Sequence, residues 1–389
     1  MSDGQASSVR YDETTKRYRG SSQPAVDRLS LEVPAGEICV LVGPSGCGKT
    51  TAMRMVNRTV EITEGDVLIG ERSVRDRDPA QLRREIGYVI QQIGLFPHRT
   101  ITENIGAVPQ LLGWDKQRIR ARSAELLELI GLDPELGDRY PVQLSGGQQQ
   151  RVGVARALAA DPLVMLMDEP FGAIDPINRE RLQNEFLRLQ AEIQKTVLFV
   201  THDIDEAIKM GDRIAVMREG GRVEQYATPA ELLMAPANEF VEDFVGADRA
   251  LKRLALMRVS DIHLWEAPLA YVGQPTAEVR AKLDAPDVEV RFPLLVDGER
   301  RPLGWLSERD LAADVVPGRP DSPLGPVLEL DDVMRDALAD LLQHETQYAP
   351  VVDHRRQIAG VLSVEIISEF LASPEAKSDE HSAVERPHE

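Results

Sequence analysis

The chain of 389 residues has two cysteines, Cys39 and Cys47, and aromatic residues make up only 5% of it. Two thiols, one inside an apolar run and one inside a glycine-rich loop, cannot build a disulfide framework, and this points to a reducing compartment. Positive charge is also in deficit: 45 Lys and Arg against 64 Asp and Glu leave a net charge of −19. The deficit runs along the whole chain, so nucleic acid is not expected as a partner. Long apolar stretches are missing as well. No run approaches the ~18–20 residues that cross a bilayer, so any membrane association is expected to pass through another protein. The opening Met1-Ser2-Asp3-Gly4-Gln5 lacks a basic-then-apolar pattern, and export is not expected. What remains is 42% hydrophobic and 28% charged, the composition of a soluble globular protein with room for two or three domains.

What is present is organised around Gly43-Pro44-Ser45-Gly46-Cys47-Gly48-Lys49-Thr50. Two glycines bracket four residues and Lys-Thr follows. Before it lies the apolar run Ile38 to Val42, read as a buried strand, and after it Thr51-Ala52-Met53-Arg54-Met55, read as helix. Strand, glycine loop and helix in that order form a phosphate cradle. Glycines let several backbone N–H groups converge on phosphate oxygens, and the helix N-terminus adds partial positive charge. Lys49 is expected to reach the β- and γ-phosphates, and the Thr50 hydroxyl to hold Mg²⁺. The chain is expected to bind a nucleoside triphosphate.

Further along, four elements fit that expectation. Ile86 to Ile90 reads as a strand ending at Gln91-Gln92, and residues 102–137 read as a helical subdomain with a kink at Pro109. Ser145-Gly146-Gly147-Gln148 then opens a helix. Its Ser and Gln form a capping-box pattern, but that pattern leaves the two glycines unexplained, each costing about 1 kcal/mol against alanine. A bare helix N-terminus is what close approach to phosphate requires. Leu163 to Met167 reads as a buried strand ending in Asp168-Glu169. There Asp168 is expected to act on Mg²⁺ and Glu169 to orient the attacking water. Val197 to Thr201 reads as another strand of the same sheet, ending at His202, for which a γ-phosphate contact is expected. A hairpin over 213–225 and one helix from Thr228 to about Val245 complete this part, with a boundary at Gly246-Ala247-Asp248.

The second half repeats itself at an offset of 56 residues. Leu295-Val296-Asp297 and Gly304-Trp305-Leu306-Ser307 match Val351-Val352-Asp353 and Gly360-Val361-Leu362-Ser363. Each copy reads as a βαββα-like unit. The tail 373–389 is polar and expected to be disordered.

Together these motifs resemble the ATP-binding cassette (ABC) ATPases over residues 9–246, after a flexible 1–8 and with a helical subdomain at about 95–160. The fold implied is α/β, a mixed sheet with helices. The stretch from Ile90 to His98 and the C-terminal repeat resemble importers of quaternary amines such as glycine betaine, proline, choline or carnitine. The repeat itself resembles a tandem cystathionine-β-synthase (CBS) module, with a degenerate first copy at 250–314 and a second at 323–372. The resemblance implies a head-to-tail dimer with ATP and Mg²⁺ between subunits. Tyr18, Gly43, Pro44, Ser45, Gly46, Cys47, Gly48, Lys49, Thr50, Thr51 and Gln91 would hold ATP. Thr50, Gln91 and Asp168 would hold the metal, and Glu169 and His202 would serve catalysis. Ser145, Gly146, Gly147, Gln148 and Asp175 would come from the partner subunit. Gln91 to His98 would meet a membrane permease on the cytoplasmic face, served in turn by a substrate-binding protein. Ser307 and Asp310 resemble the element with which CBS modules hold a ribose, so an adenine nucleotide such as cyclic di-AMP is a candidate ligand. Arg300-Arg301 and Arg355-Arg356 would occupy equivalent hairpin tips and offer an ionic-strength sensor instead. A soluble ABC-type ATPase unconnected with transport is the alternative.

Overall fold

The computed structural model describes residues 6–90, 94–172, 174–246, 248–284, 289–322 and 324–372. Gln91 and the tail 373–389 therefore lie outside the described residues. The chain divides into two compact units, Met1–Gly246 and Ala247–Glu389.

The first unit begins with β1 (Val9–Lys16), β2 (Val26–Val33) and β3 (Ile38–Val42), followed by α1 (Lys49–Val56), β4 (Glu64–Ile69) and β5 (Arg72–Ser73). Then come α2 (Pro79–Arg84), β6 (Ile86–Val89), α3 (Ile101–Ile105), α4 (Ala107–Leu111), α5 (Lys116–Leu129) and α6 (Gly146–Leu158). The unit closes with β7 (Val164–Asp168), α7 (Pro176–Ile193), β8 (Thr196–Val200), α8 (Ile204–Met210), β9 (Arg213–Arg218), β10 (Arg222–Ala227), α9 (Pro229–Met234) and α10 (Glu239–Val245). The leading segment is not wholly loose: Ser7 N donates to Leu163 O at 3.3 Å, and Ser8 O accepts from Gly70 N at 2.8 Å.

Two sheets pack around a shared core. The larger has the order β10-β9-β3-β8-β7-β6, parallel except for the β9–β10 hairpin, and the smaller is the antiparallel β2-β1-β4-β5. Continuous apolar runs such as Ile38 to Val42 suit a strand buried on both faces. Alternation then sorts their side chains. Ile38, Val40, Met165, Met167, Val197 and Phe199 pack toward α5, α6 and α7, while Cys39, Leu41, Leu166 and Leu198 pack toward α1 and the smaller sheet. This double cover fixes the C-terminal edge of the parallel strands, where the loops after β3, β7 and β8 emerge together.

Two expectations are corrected. The helix from Thr228 to Val245 is two helices, because Pro236 cannot continue α9 and Asn238 starts α10 by accepting from Val241 N at 3.1 Å. In the helical insert the break falls at Gly106 rather than at Pro109, which sits harmlessly in the first turn of α4. A Cβ at Gly106 would come within 2.4 Å of Ile119 Cγ2, so α3 and α5 pack closely only because glycine stands there.

The second unit contains α11 (Arg249–Leu254) and then two βαββα copies. The first is β11 (Leu269–Tyr271), α12 (Thr276–Leu283), β12 (Leu294–Val296), β13 (Pro302–Trp305) and α13 (Glu308–Ala312). The second is β14 (Leu328–Glu329), α14 (Met334–Gln343), β15 (Tyr348–Val352), β16 (Ile358–Ser363) and α15 (Val364–Ala372). Each forms a three-stranded sheet with its first strand parallel to the hairpin. The tips of the two hairpins match residue for residue: Asp297 N donates to Arg301 O at 3.0 Å and Asp353 N to Gln357 O at 2.9 Å. Arg300 and Arg356 both take left-handed φ, 63° and 61°. The copies also exchange their leading segments. Trp265 bridges to Val361 of the second copy, and Ser322, just ahead of the second copy, bridges to Trp305 of the first. Leu254 and Val259 accordingly lie in the core of the second copy, and Val316 in that of the first. Residues 250–265 thus precede the first copy in sequence but pack with the second.

Candidate functional site

The loop after β3 is held open by conformations only glycine tolerates. Gly43 has φ of 153°, and a Cβ there would sit 2.1 Å from Met217 O. Gly48 caps α1 in the left-handed region at φ 112°. The buried Lys49 folds back over the loop, its Nζ donating to Gly43 O at 2.7 Å and Pro44 O at 3.0 Å, with Cys47 Sγ at 3.7 Å. Pro44, Ser45 and Gly46 are exposed at the crest, and Thr51 follows half-buried in α1. An ammonium group bridging the loop's own carbonyls holds cationic charge at the centre of a backbone concavity.

Beneath it, Thr50 Oγ1 donates to Asp168 Oδ1 at 3.0 Å. The other Asp168 oxygen faces Arg54 Nη2 at 3.4 Å. Arg54 was not singled out from sequence, yet it lies one helical turn beyond Thr50 and therefore on the same face of α1. A hydrogen bond with Tyr88, more than the charge of Asp168, raises the Arg54 pKa. Hydroxyl and carboxylate oxygens paired in this way suit a hard divalent cation that keeps most of its ligands from water and phosphate. Among the described residues no group of three or more His, Cys, Asp or Glu could enclose a metal by itself.

Next to Asp168, Glu169 adopts a left-handed φ of 46°. Its N–H donates to Val200 O at 2.9 Å, pinning the end of β7 to β8. Its Oε1 lies 3.1 Å from His202 Nδ1. Strained backbone at a carboxylate is a known mark of functional loops. Lys49, Thr50, Arg54, Asp168, Glu169 and His202 thus converge from α1 and from the ends of β7 and β8.

The remaining residues lie elsewhere on the unit. Tyr18 is 46% exposed, in the loop after β1, with Lys16 Nζ 5.0 Å from its ring centroid. Ser145 caps α6: its hydroxyl accepts from Gln148 N at 3.3 Å, and Gln148 Oε1 accepts from Ser145 N at 2.9 Å. The capping box is therefore real, and it still leaves the glycines unexplained. A Cβ at Gly146 would meet nothing within 4 Å, and one at Gly147 would make only ordinary contact, with Leu182 Cδ1 at 3.7 Å. Nothing in the chain itself demands glycine there. Asp175 caps α7, accepting from Asn178 N at 3.2 Å and Asn178 Nδ2 at 2.8 Å. Of the stretch from Gln91 to His98, residues 94–98 are described. Phe96 is 42% exposed but its backbone is fixed by the buried Asn104, which accepts from Phe96 N at 2.7 Å and donates to Phe96 O at 3.1 Å. In the second unit Ser307 caps α13, and Asp310 is turned inward. Its Oδ2 accepts from Ser307 N and Ser307 Oγ at 2.8 Å each and from Asp321 N at 3.3 Å. Burial works to raise its pKa, but these donors outweigh it and hold the carboxyl below its ordinary value.

Fold and site together define a phosphate-loop nucleoside triphosphatase. The ABC transporter family model matches residues 26–172. The osmoprotectant import ATP-binding protein OsmV of Salmonella typhimurium is 46% identical over 376 residues, 94% of this chain and 96% of that one. The choline transport ATP-binding protein OpuBA of Bacillus subtilis is 42% identical over 90% of this chain and 93% of its own. Among solved structures, a dimeric ATP-binding cassette in a post-hydrolysis state with ADP and Pi is 35% identical, with a TM-score of 0.51, covering 57% of this chain and 98% of that one. The chain belongs to the ATP-binding proteins of ABC transporters, in the group formed by these import proteins. Because the match to them runs through both units, a cassette unconnected with transport finds no support. No helix among the described residues is long and apolar enough to cross a membrane.

Proposed function

We propose that this chain hydrolyses ATP to drive import of small quaternary-amine osmoprotectants such as glycine betaine, choline or carnitine. The observation that carries hydrolysis is the convergence of Lys49, Thr50, Asp168, Glu169 and His202 at one sheet edge, and the substrate class rests on the likeness to the osmoprotectant and choline import proteins. In this reading Lys49 binds the β- and γ-phosphates, while Thr50 and Asp168, with Gln91, would hold Mg²⁺, which would neutralise phosphate charge. Glu169 accepts a proton from the attacking water and His202 contacts the γ-phosphate.

Two copies pair head to tail, and Ser145, Gly146, Gly147, Gln148 and Asp175 of one complete the site of the other. The bare glycines of α6, for which the chain itself has no use, support this pairing, because a helix N-terminus without side chains can approach phosphate closely. Tyr18 stacks on the adenine. Phe96 and its neighbours, exposed on a loop braced by Asn104, dock to a membrane permease at the cytoplasmic face, and that permease receives its cargo from a separate binding protein.

The second unit regulates transport as a tandem CBS pair. For an adenine nucleotide to bind through Asp310, that carboxylate would have to exchange Ser307 and Asp321 for a ribose hydroxyl. The paired hairpin tips at Arg300 and Arg356 offer a cationic alternative that salt would screen over ~8 Å.

Uptake of labelled glycine betaine, choline and carnitine into vesicles holding this chain, its membrane subunit and its binding protein tests the proposal. ATP-dependent accumulation of at least one of the three is expected. ATP hydrolysis without accumulation of any of them would remove the substrate class.

A further inference from the structure

Asp175, Arg179 and Gln183 follow one another at four-residue spacing, so they line one face of α7. That face meets the turn that carries His202. Gln183 Nε2 donates to Glu206 Oε1 at 3.0 Å, and both side chains are buried. Arg179 Nη1 stands 3.9 Å from Asp203 Oδ2, while its Nη2 donates to Ile174 O at 3.1 Å. Within the turn, Asp203 N donates to Thr201 Oγ1 at 3.1 Å, and Asp203 Oδ1 accepts from Asp205 N at 2.9 Å and Glu206 N at 3.3 Å. Thr201 is buried and hydrogen-bonded to Glu206. His202 therefore sits between two residues, Thr201 and Asp203, each tied to α7, whose first turn is capped by Asp175.

The direction of these bonds is fixed by donor count. Thr201 Oγ1 already accepts from Asp203 N, so its own proton is free to go to Glu206. The Gln183 amide donates to the same carboxylate from the α7 side. Glu206 is thus an acceptor on both sides in a buried place. Burial pushes its pKa up, and the Thr201 and Gln183 donors work against that push.

We infer that Gln183 and Glu206 are positioning residues for hydrolysis: they hold His202 in a place set by the Ile174-Asp175 end of α7, so that contact at Asp175 is transmitted to His202. The inference rests on the proposed role of His202 and on the pairing of two copies. It assigns a use to a buried carboxyl that touches neither nucleotide nor metal in that reading. Between the exposed Asp175 and His202, the connecting side chains Arg179, Gln183, Asp203, Glu206 and Thr201 are buried or half-buried.

The test uses the full-length chain assembled with its membrane subunit. Glu206→Gln keeps size and shape but turns one oxygen into a donor, which Gln183 can meet only by turning its own amide over. Turnover should fall about ten- to a hundredfold while the ATP Kd stays within about twofold. The exchange Gln183→Glu with Glu206→Gln reverses the pair: the carboxylate on α7 accepts from the amide on α8, whose carbonyl oxygen still takes the Thr201 proton. Turnover should return to within about threefold of native, because coupled neighbours do not act additively. Native turnover in Glu206→Gln, an ATP affinity that falls in step with turnover, or a loss that the exchange leaves in place would each overturn the inference. His202→Ala in the same assay separates this from the underlying reading. If it turns over like the native chain, the role of His202 fails and the inference with it. If it is inactive while Glu206→Gln is native, only the positioning role fails.

Discussion

Glu169→Gln is expected to bind ATP, to form a lasting pair with a second copy, and to turn over at least ~100-fold more slowly than the native chain. The substitution removes a proton acceptor while keeping a side chain of the same shape 3.1 Å from His202 Nδ1. The phosphate loop is untouched, since the Lys49 bonds to Gly43 and Pro44 and the Thr50 bond to Asp168 do not involve Glu169. The backbone bond from Glu169 N to Val200 O, which anchors the left-handed turn, is retained as well. Binding without turnover therefore follows from the geometry. Size-exclusion chromatography with and without ATP, beside a phosphate-release assay, reads both halves. Turnover near the native rate would remove Glu169 from the chemistry.

Ser145→Arg should be equally damaging for a different reason. Hydrolysis is expected to fall by more than ~100-fold, the scale on which losing a preorganised donor acts, while ATP affinity of the isolated monomer stays within about twofold. Ser145 is exposed at the start of α6, with open space beside Gly146, so a long side chain fits the single chain without a clash. Losing the Ser145–Gln148 box costs about 1 kcal/mol, well below the stability of a domain of this size. The arginine would instead fill the space through which the helix N-terminus approaches a second copy. Nucleotide titration of dilute protein measures the monomer, and steady-state turnover at high concentration measures the pair. A monomer that no longer binds ATP would put Ser145 in its own chain's site.

Much of this site was legible before the fold was known, because its parts are local. The glycine loop, the Asp168-Glu169 pair and His202 each stand at the end of an apolar run, and a parallel sheet brings such ends to one edge. What was not legible depends on distance along the chain. Arg54 meets Asp168 across 114 residues, and only its i+4 relation to Thr50 hinted at it. The Gln183–Glu206 bond hides in two ordinary helices whose faces are apolar around it. In the second unit the 56-residue repeat was plain, but the exchange of leading segments was not, since Trp265 pairs with Val361 through backbone atoms that carry no side-chain signature. Ser307 and Asp310 illustrate a different limit. A Ser-x-x-Asp sequence caps a helix as readily as it holds a ribose, and in the fold Asp310 is buried against Ser307 and Asp321. The helix break at 235–238 is readable in the sequence, since Pro236 and Asn238 give the usual stop and start.

The central claim is that each ATP is enclosed by residues from two copies. It is tested most directly by mixing the two inactive variants. In a mixed pair of Glu169→Gln and Ser145→Arg chains, one site carries both changes and the other carries neither, so its Lys49, Asp168, Glu169 and His202 face a native Ser145. Phosphate release should therefore reappear on mixing, rising with the fraction of mixed pairs toward about half the native rate per pair, since both changes fall in one composite site and leave the other native. If every site is built from a single chain, each variant remains inactive whatever it is paired with. A mixture no more active than its components would contradict the account.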